Sequence, residues 1–281
     1  MSRAELVVGG VLNAVARPAP GLAGRLAFGL FRTPVRRGKV LPAERAAHER
    51  AVTEELTVNG KQVRVYRWGT GERPVLMLHG WQSRASRYAA FVPRLEALGL
   101  TPISFDAPGH GSSGGRSTTI LEYREIIGRL QRTYGAFHSA VAHSLGATSM
   151  LLALRGEVRA GRLVTVAAVK DFGHFPDEFA RILGLRRALR EDLRDRIEHR
   201  LFAEVTDPWR LFDATRATEE IDVPMRIIHD TDDEMVPVAQ AHALKAAYGE
   251  RAELVITEGL GHRKVLGAPQ IVESALEFIA R

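Results

Sequence analysis

The chain contains no cysteine among its 281 residues. This absence excludes a disulfide framework, a cysteine-ligated metal centre and a thiol nucleophile, so any covalent catalysis must use another side chain. Because disulfides mark oxidising compartments, their absence fits the cytoplasm, which is where we expect the protein to act.

The sequence also lacks a long hydrophobic run, although a membrane-spanning helix needs about 20 consecutive apolar residues. The first apolar stretch, Leu6–Ala16, is shorter and is followed by Pro18, and the second, Gly21–Phe31, is interrupted by Arg25. A secretory signal is also poorly matched, since Arg3 is the only basic residue before the apolar stretch. We therefore expect neither a transmembrane span nor an export signal.

Acidic residues are scarce only near the N-terminus. The formal net charge is +6, and the first 50 residues hold nine of the 39 Lys and Arg but only three of the 33 Asp and Glu, which leaves thirty of each elsewhere. The basic character therefore belongs to an N-terminal arm. A basic footprint for nucleic acid over the whole fold is not supported, so no nucleic-acid partner is expected.

The arm is rich in Ala, Gly, Leu and Arg, and its pattern predicts two short amphipathic helices within residues 1–39, broken near Pro18 and Pro20. The simplest hypothesis is that these helices pack on their own domain or on a second subunit. Apolar faces combined with arginines also suit peripheral contact with a membrane surface. The sequence leaves this choice and the oligomeric state open.

From about residue 53 onward, predicted strands alternate with predicted helices. Two alternating runs flank Asn59-Gly60, a strong signal for a β-hairpin. The later alternation is typical of a mostly parallel sheet covered by helices on both faces, with the hairpin as its antiparallel edge. The predicted strands are Glu55–Val58, Val63–Trp68, Val75–Leu78, Pro102–Phe105, Ser139–Ala142, Leu163–Val169, Met225–His229 and Glu253–Ile256. The predicted helices are Arg87–Leu98, Thr119–Tyr134, Leu145–Arg155, Val238–Tyr248 and Pro269–Ile279.

Residues 171–213 break this alternation and are dense in charge, with helical runs near Phe175–Leu183 and Arg186–Phe202. An insertion at this point would form a cap above the sheet, whereas the simpler hypothesis is a pair of exposed helices whose charges face water. The predicted organisation is thus a basic helical arm over residues 1–50 and one α/β domain over 51–281, with a cap insertion at about 171–213.

The segment Ala142-His143-Ser144-Leu145-Gly146 joins a predicted strand directly to a helix. Small residues at its two ends permit a sharp turn, which would lift the Ser144 hydroxyl above the sheet at the positive end of the helix. The pattern is G-x-S-x-G with alanine in the first position. The ordinary alternative for Ser144 is a helix N-cap.

A serine is a weak nucleophile and needs a base. His262 lies between glycines in a loop after the last predicted strand, which suits a base projected towards the edge of the sheet. One carboxylate would then orient the imidazole. The block before this strand offers four, and the residues alone do not decide among them: Asp230, Asp232, Asp233 and Glu234. The same acids could hold a cation, but the spacing of an EF-hand is missing.

Four blocks, taken in order, resemble the α/β-hydrolase superfamily of esterases, lipases and serine aminopeptidases over residues 53–281. They are His79-Gly80-Trp81, the D-x-P-G-x-G-x-S-like loop Asp106–Ser113, the Ser144 segment, and an H-x-x-x-D-x-x-V-P block followed by the Gly-His loop. The resemblance implies the α/β-hydrolase fold, a mostly parallel eight-stranded sheet with helices on both faces and a small helical cap.

The same resemblance implies roles for particular residues. It makes Ser144 the nucleophile, Asp233 the acid and His262 the base, with Asp232 as the alternative acid. It places the oxyanion hole at the backbone N–H groups of Trp81 and Leu145. No cofactor and no metal are implied.

The expected function is a serine hydrolase that cleaves a carboxylic ester, or a related acyl bond, of a small-molecule acyl substrate through an acyl-enzyme. A serine aminopeptidase, a lipase-type acyl hydrolase or an acyltransferase would use the same triad. A binding protein that has kept the fold without catalysis is disfavoured by the intact serine and histidine. A haloalkane dehalogenase would need an aspartate at position 144. The acyl and leaving groups are not encoded in any pattern we identify.

Overall fold

A tight hairpin begins the sheet in the computed structural model, which describes residues 3–281. Strands β1 (Val52–Val58) and β2 (Lys61–Arg67) pair antiparallel, with Val58 opposite Lys61. Asn59 and Gly60 between them have φ angles of 47° and 72°. A two-residue turn with both φ values positive matches the twist of the flanking strands, and Asn-Gly is the sequence that tolerates it best. The predicted hairpin is therefore confirmed.

The hairpin is the edge of an eight-stranded sheet with the order β1-β2-β4-β3-β5-β6-β7-β8. Strand β2 also pairs antiparallel with β4, and every later neighbouring pair is parallel. Strands β3 to β7 are buried along their whole length, as expected for a sheet covered on both faces. The predicted α/β-hydrolase fold is confirmed. The remaining strands are β3 (Pro74–Leu78), β4 (Thr101–Asp106), β5 (Ser139–His143), β6 (Leu163–Val166), β7 (Met225–Asp230) and β8 (Ala252–Thr257).

Twelve α-helices are described within residues 3–281. Several predicted boundaries differ from those observed by a few residues, and two of these differences have a clear local cause. Strand β6 ends at Val166 rather than Val169, because Ala167 turns the chain with a φ of 50°. The predicted helix at 87–98 begins only at Val92, since Pro93 cannot donate a hydrogen bond to an earlier turn. The helices are α1 (Arg3–Val15), α2 (Pro20–Arg32), α3 (Arg45–Glu49), α4 (Val92–Ala97), α5 (Ile120–Tyr134), α6 (Leu145–Leu154), α7 (His174–Ile182), α8 (Arg187–Arg196), α9 (Pro208–Leu211), α10 (Ala239–Tyr248), α11 (Gly261–Lys264) and α12 (Pro269–Ala280).

The chain divides into two compact units. The sheet unit comprises Arg36–Lys170 and Ala214–Arg281 and contains all eight strands. The helical unit combines the chain up to Val35 with Asp171–Asp213, so the arm helices share a unit with the segment that the sequence assigns to a cap. None of the helices within residues 3–281 is both long and apolar enough to cross a membrane.

The division after Val35 differs from the arm boundary at residue 50 that the sequence suggests. The intervening residues belong to the sheet unit because their polar groups bond to it. The guanidinium of Arg37 donates to the carbonyls of Ser113 and Gly115 at 2.7 and 2.6 Å. The indole N–H of Trp68 donates to the carbonyl of Ala47 at 2.7 Å.

The helical unit has a small apolar core of its own, to which α1 and α2 contribute together with α7 and α8. Asn13 of α1 ties the turn between α7 and α8, since its amide donates to the carbonyl of Gly184 and accepts from the N–H of Arg186, both at 2.9 Å. The buried core residues are Leu12, Ala23, Ala27, Ala180, Leu183, Leu185 and Leu189.

Two adjacent glycines of α1 give a matched test of this packing. A Cβ at Gly9 would lie 1.6 Å from the carbonyl oxygen of Leu183, whereas a Cβ at Gly10 would meet nothing within 4 Å. Gly10→Ala should stabilise the protein by about 0.5–1 kcal/mol, because alanine is the better helix former. Gly9→Ala should destabilise it by roughly 1–3 kcal/mol, because α1 must move away from α7.

Urea unfolding, together with hydrogen exchange of the α1 amides, measures both changes. Equal effects of the two substitutions would contradict the observed packing of α1.

Candidate active site

Ser144 stands at a sharp turn between β5 and α6. Its backbone has a φ of 53° and a ψ of −122°, values that a residue with a side chain rarely adopts. The turn directly follows the buried end of β5, and the Ser144 N–H donates to the carbonyl of Val166 on the neighbouring strand at 3.0 Å. Although Ser144 occupies the N-cap position of α6, its side chain makes no capping hydrogen bond. The N-cap alternative therefore does not account for this serine.

Crowding around the turn explains which residues accompany Ser144. A Cβ at Gly146 would lie 2.5 Å from the carbonyl oxygen of Leu78, so the first turn of α6 packs directly on the end of β3. A Cβ at Gly80 would lie 2.9 Å from the Cβ of Ser144. Ala142 is fully buried, so the position where the elbow pattern more often has glycine accommodates a methyl group.

His262 and Asp233 form a direct pair at the ends of two neighbouring strands. Asp233 follows β7, and His262 lies in α11 after β8. The Nδ1 of His262 lies 2.7 Å from Oδ2 of Asp233, and the Asp233 side chain is fully buried. A carboxylate only accepts hydrogen bonds, so Nδ1 carries the proton and Nε2 of the neutral ring keeps its lone pair.

The other oxygen of Asp233 is equally well held. Oδ1 accepts the N–H groups of Met235 and Val236 at 2.9 and 2.8 Å. Burial by itself would raise the pKa of Asp233, but the hydrogen bonds from His262 and from these two amides outweigh it and hold the pKa below its ordinary value. The carboxyl is therefore kept ionised and fixed in orientation.

Asp230, the first carboxylate of the same block, holds the loop that carries His262. Its Oδ1 accepts the N–H groups of Gly261 and Leu260 at 2.8 and 3.1 Å, and its Oδ2 accepts the hydroxyl of Thr257 at 2.8 Å. Burial opposes ionisation of Asp230, yet these hydrogen bonds lower its pKa overall. Asp232, in contrast, is exposed, and within residues 3–281 its side chain accepts only the N–H of Gly259, at 3.1 Å. The geometry thus brings Asp233, and not Asp232, to His262.

His143 links the serine turn to the histidine loop. Its Nε2 lies 2.8 Å from the carbonyl oxygen of His262, so Nε2–H donates to that carbonyl. The two rings are tilted against each other, with centroids 4.8 Å apart and an interplanar angle of 46°. The Nδ1 of His143 is buried and finds no partner among residues 3–281. Burial, supported by the proximity of His262, lowers the pKa of His143 to about 3, so the ring is neutral.

Two backbone N–H groups near Ser144 are free to donate. Leu145 is the first residue of α6, where an N–H has no acceptor within its own helix. Trp81 follows Gly80, and its N–H, like that of Leu145, finds no acceptor within residues 3–281. These are the two donors that the sequence assigns to an oxyanion hole.

The loop that carries Trp81 is held by neutral histidines. The Nε2 of His110 accepts the N–H of Gln82 at 3.0 Å, and its ring contacts the indole of Trp81 edge to face at 5.1 Å. The Nε2 of His79 accepts the N–H of Ala107 at 3.0 Å. Burial lowers the pKa of His110 to about 3 and also lowers the pKa of His79, so both rings remain acceptors.

Asp106 anchors the same region as a fully buried carboxylate. Its Oδ1 accepts the N–H of Ala85 at 2.8 Å, and its Oδ2 accepts from Ser112 N–H and Tyr66 Oη at 2.7 and 2.9 Å. Arg84 supplies the opposite charge at 3.2 Å. A buried charge is tolerated when it is paired and hydrogen-bonded, so the burial of Asp106 is compensated. Its carboxylate can therefore hold the segment at Ala85 and the segment at Ser112 together.

Residues 3–281 contain no group of three or more His, Asp or Glu side chains arranged to hold a metal ion. Three carboxylates at the end of β7 and just after it, those of Asp230, Asp232 and Asp233, instead each accept hydrogen bonds separately, as described above.

Comparison with known proteins identifies the family. The model of the alpha/beta hydrolase family matches residues 75–280. The chain belongs to the alpha/beta hydrolase family. It is 25% identical over 225 residues to Esterase YjfP of Escherichia coli (strain K12), a match that covers 73% of this chain and 86% of the relative.

Two further similarities of this alpha/beta hydrolase are more limited in extent or identity. It is 33% identical over 129 residues to the pimeloyl-[acyl-carrier protein] methyl ester esterase of Sodalis glossinidius (strain morsitans), covering 44% of this chain and 49% of that protein. Its fold resembles that of mouse alpha/beta hydrolase domain-containing protein 10, with a TM-score of 0.61 and 17% identity over 82% of this chain and 97% of that one.

Several supporting residues of this alpha/beta hydrolase could not be assigned from the sequence. The hydrogen bond from His143 to His262 joins two residues 119 positions apart, which no local pattern links. Asp230 was one of four equivalent acids. A usable signal existed for Asp230, since it directly ends a buried strand, and a carboxylate at that point can accept the N–H groups of the next loop.

The buried neutral state of His143 predicts a pH dependence of stability. Its pKa is lower in the folded protein than the ordinary value of 6.5, so its stabilising contribution is complete above that pH and is lost as the pH falls towards 3. In His143→Gln, which keeps an amide donor but cannot titrate, the acid loss of unfolding free energy should be shallower by up to about 1.4 kcal/mol per pH unit.

Urea unfolding at a series of pH values between about 4 and 7 measures this difference. His242→Gln, which replaces an exposed histidine of the sheet unit, is the matched control. Parallel curves for wild type and His143→Gln would show that His143 is not buried as a neutral ring.

Proposed function

We propose that this protein is a serine hydrolase that cleaves a carboxylic ester, or a related acyl bond, of a small-molecule substrate. The observation that carries the proposal is the 2.7 Å hydrogen bond between Nδ1 of His262 and the buried carboxylate of Asp233. An imidazole held in this tautomer by a buried acid is the arrangement that a general base needs. Ser144, at a strained turn and without a capping bond, is the proposed nucleophile.

The proposed reaction has two halves. The hydroxyl oxygen of Ser144 attacks the carbonyl carbon, and Nε2 of His262 takes the hydroxyl proton while Asp233 stabilises the imidazolium. The N–H groups of Trp81 and Leu145 bind the oxygen of the tetrahedral intermediate. Collapse of this intermediate breaks the ester bond, and His262 donates its proton to the departing alkoxide. A water then repeats the sequence on the acyl-enzyme and releases the acid and free Ser144.

The relatives support an ester as the bond that is cleaved. Both curated relatives described above are named as esterases. This chain is similar to these relatives in sequence as well as in fold, which supports the class of reaction and assigns no particular acyl or alcohol group. We therefore propose ester hydrolysis in general and leave the substrate's identity to experiment.

The acids of the helical unit do not favour the aminopeptidase alternative. A peptidase of this kind would need unpaired carboxylates for the free amine of its substrate. Four acids of α7 and α8 are engaged with arginines of the same two helices, and Asp195 lies 3.1 Å from Nδ1 of His199. The pairs are Asp177 with Arg194, Glu178 with Arg181, Glu191 with Arg187 and Asp192 with Arg196.

Labelling with a fluorophosphonate probe tests the nucleophile. Wild type should form a stable adduct, because the hydroxyl oxygen of an activated serine attacks the phosphorus, His262 takes the hydroxyl proton and fluoride leaves, which produces a phosphonyl ester that resists hydrolysis. Ser144→Ala should form none and should lose ester turnover by at least about 10⁴-fold. An adduct on Ser144→Ala equal to that of wild type would refute the serine-hydrolase proposal.

A pair of adjacent substitutions tests the acid. Asp233→Asn should lower kcat by roughly 10⁴-fold, because an amide would favour the wrong tautomer of His262. Asp232→Asn is the matched control and should keep near wild-type kcat, since its side chain is exposed and bonds only to Gly259. The assignment is wrong if the effects of the two substitutions on kcat are reversed.

A further inference from the structure

The outward face of the two arm helices is apolar and exposed. We call it the arm face, and it comprises residues of α1 and α2, among which Val7 and Val11, and Leu22, Leu26 and Leu30, follow one another four apart, as neighbours on a helical surface do. Their exposed fractions range from 39% to 60%. Soluble proteins rarely leave a contiguous apolar surface of this kind without a partner. The apolar residues of the arm face are Leu6, Val7, Val11, Leu22, Leu26 and Leu30.

The opposite face of the same helices is buried within the helical unit. Leu12 of α1 and Ala23 and Ala27 of α2 are buried in the core of the helical unit. Asn13 and Gly9 fix α1 to the turn that follows α7. The helices therefore have a fixed rotation, and their remaining leucines and valines cannot be buried by rolling them against the same unit.

Arginines lie among these apolar residues. Arg3, Arg17, Arg25 and Arg32 are all exposed, and none of them forms an ion pair within residues 3–281. The only acid on the two helices is Glu5, which is half-buried. The arm face thus combines apolar side chains with positive charge and offers no exposed carboxylate of its own.

We propose that the arm face docks on the surface of a membrane that contains anionic lipids. An in-plane helix inserts its apolar side chains at the boundary of the headgroups and acyl chains, while arginines bind lipid phosphates. Each arm helix has 13 residues and spans about 20 Å, well short of the roughly 30 Å hydrocarbon core, so it lies on the membrane rather than through it.

A second copy of the chain fits the arm face less well. A twofold interface places the same patch on both subunits. Here it would bring the four arginines of one copy close to those of the other with no exposed acid of either arm to pair them. A negatively charged lipid surface supplies the charge that a second copy lacks.

Vesicle co-sedimentation of the full-length protein tests the proposal. The protein should pellet with vesicles of phosphatidylcholine and phosphatidylglycerol in equal parts, and much less with phosphatidylcholine alone. Arg17→Gln combined with Arg25→Gln should weaken binding by about tenfold or more. Added salt should weaken the binding of wild type in the same way, because it screens the arginines.

Substitution of the apolar residues tests the other half of the arm face. Val7→Ser combined with Val11→Ser should abolish pelleting while leaving the unfolding midpoint near that of wild type, since both side chains are exposed. Val52→Ser combined with Leu98→Ser removes exposed apolar side chains from the sheet unit and is the matched control. Arg124→Gln, at an exposed position of α5, is the control for charge.

Two outcomes would overturn the proposal. One is a failure of wild type to pellet with anionic vesicles, or equal pelleting of the arm variants and wild type. The other is a dimer in light scattering that Val7→Ser with Val11→Ser converts to a monomer, which would show that a second copy covers the arm face. The proposal is independent of the proposed hydrolysis, so Ser144→Ala should bind vesicles as well as wild type does.

Discussion

The strained turn at Ser144 is the constraint on which the rest of the candidate site depends. A residue with a side chain holds a φ of 53° only where its surroundings allow no relaxed alternative. Those surroundings are the ends of β3 and β5, with Gly80 and Gly146 providing the space that any larger side chain would fill. The turn can exist because the core of a parallel sheet holds both strand ends rigidly, and it leaves the serine hydroxyl without a capping hydrogen bond to α6.

Buried carboxylates organise the loops around this turn. Asp106 and Asp230 each end a strand of the sheet, and Asp233 closely follows one. Each of the three accepts backbone N–H groups of nearby residues. An ionised carboxylate has room for several donors, so one side chain can fix a loop that has no regular structure of its own. Asp233 has the additional task of holding the imidazole of His262, and His143 holds the main chain of the same residue. Positioning of His262 therefore comes from both its side chain and its backbone.

In the helical unit, close packing determines which faces of the arm helices are buried. Gly9 and Gly24 allow α1 and α2 to pack closely in the helical unit. A methyl group at Gly9 would overlap the backbone of Leu183, just after α7, and one at Gly24 would overlap the side chain of Asp192 in α8. This packing uses one face of the arm helices and leaves the other exposed. The packing that makes the arm compact thus also leaves its apolar, arginine-containing face exposed.

The sequence by itself determined the hairpin at Asn59-Gly60, the alternation of strands and helices, and the serine turn with its small neighbours. These features depend on residues close together in the chain, whose turn preferences and hydrophobic periodicity determine the local backbone conformation. Ser144 and His262 were also accessible from sequence, through the order of the motifs. The choice between Asp232 and Asp233 was supported only by resemblance, since adjacent acids in a loop have the same local chemistry.

Only the tertiary structure decided which residues distant in the chain contact one another. Whether a carboxylate reaches His262 depends on how the loops after β7 and β8 meet, and these loops are brought together by the pairing of two parallel strands. The same holds for the bond from His143 to His262 and for the helix faces of the arm that are buried or exposed. Each of these results from contacts between segments far apart in the chain, which periodicity and local propensity do not encode.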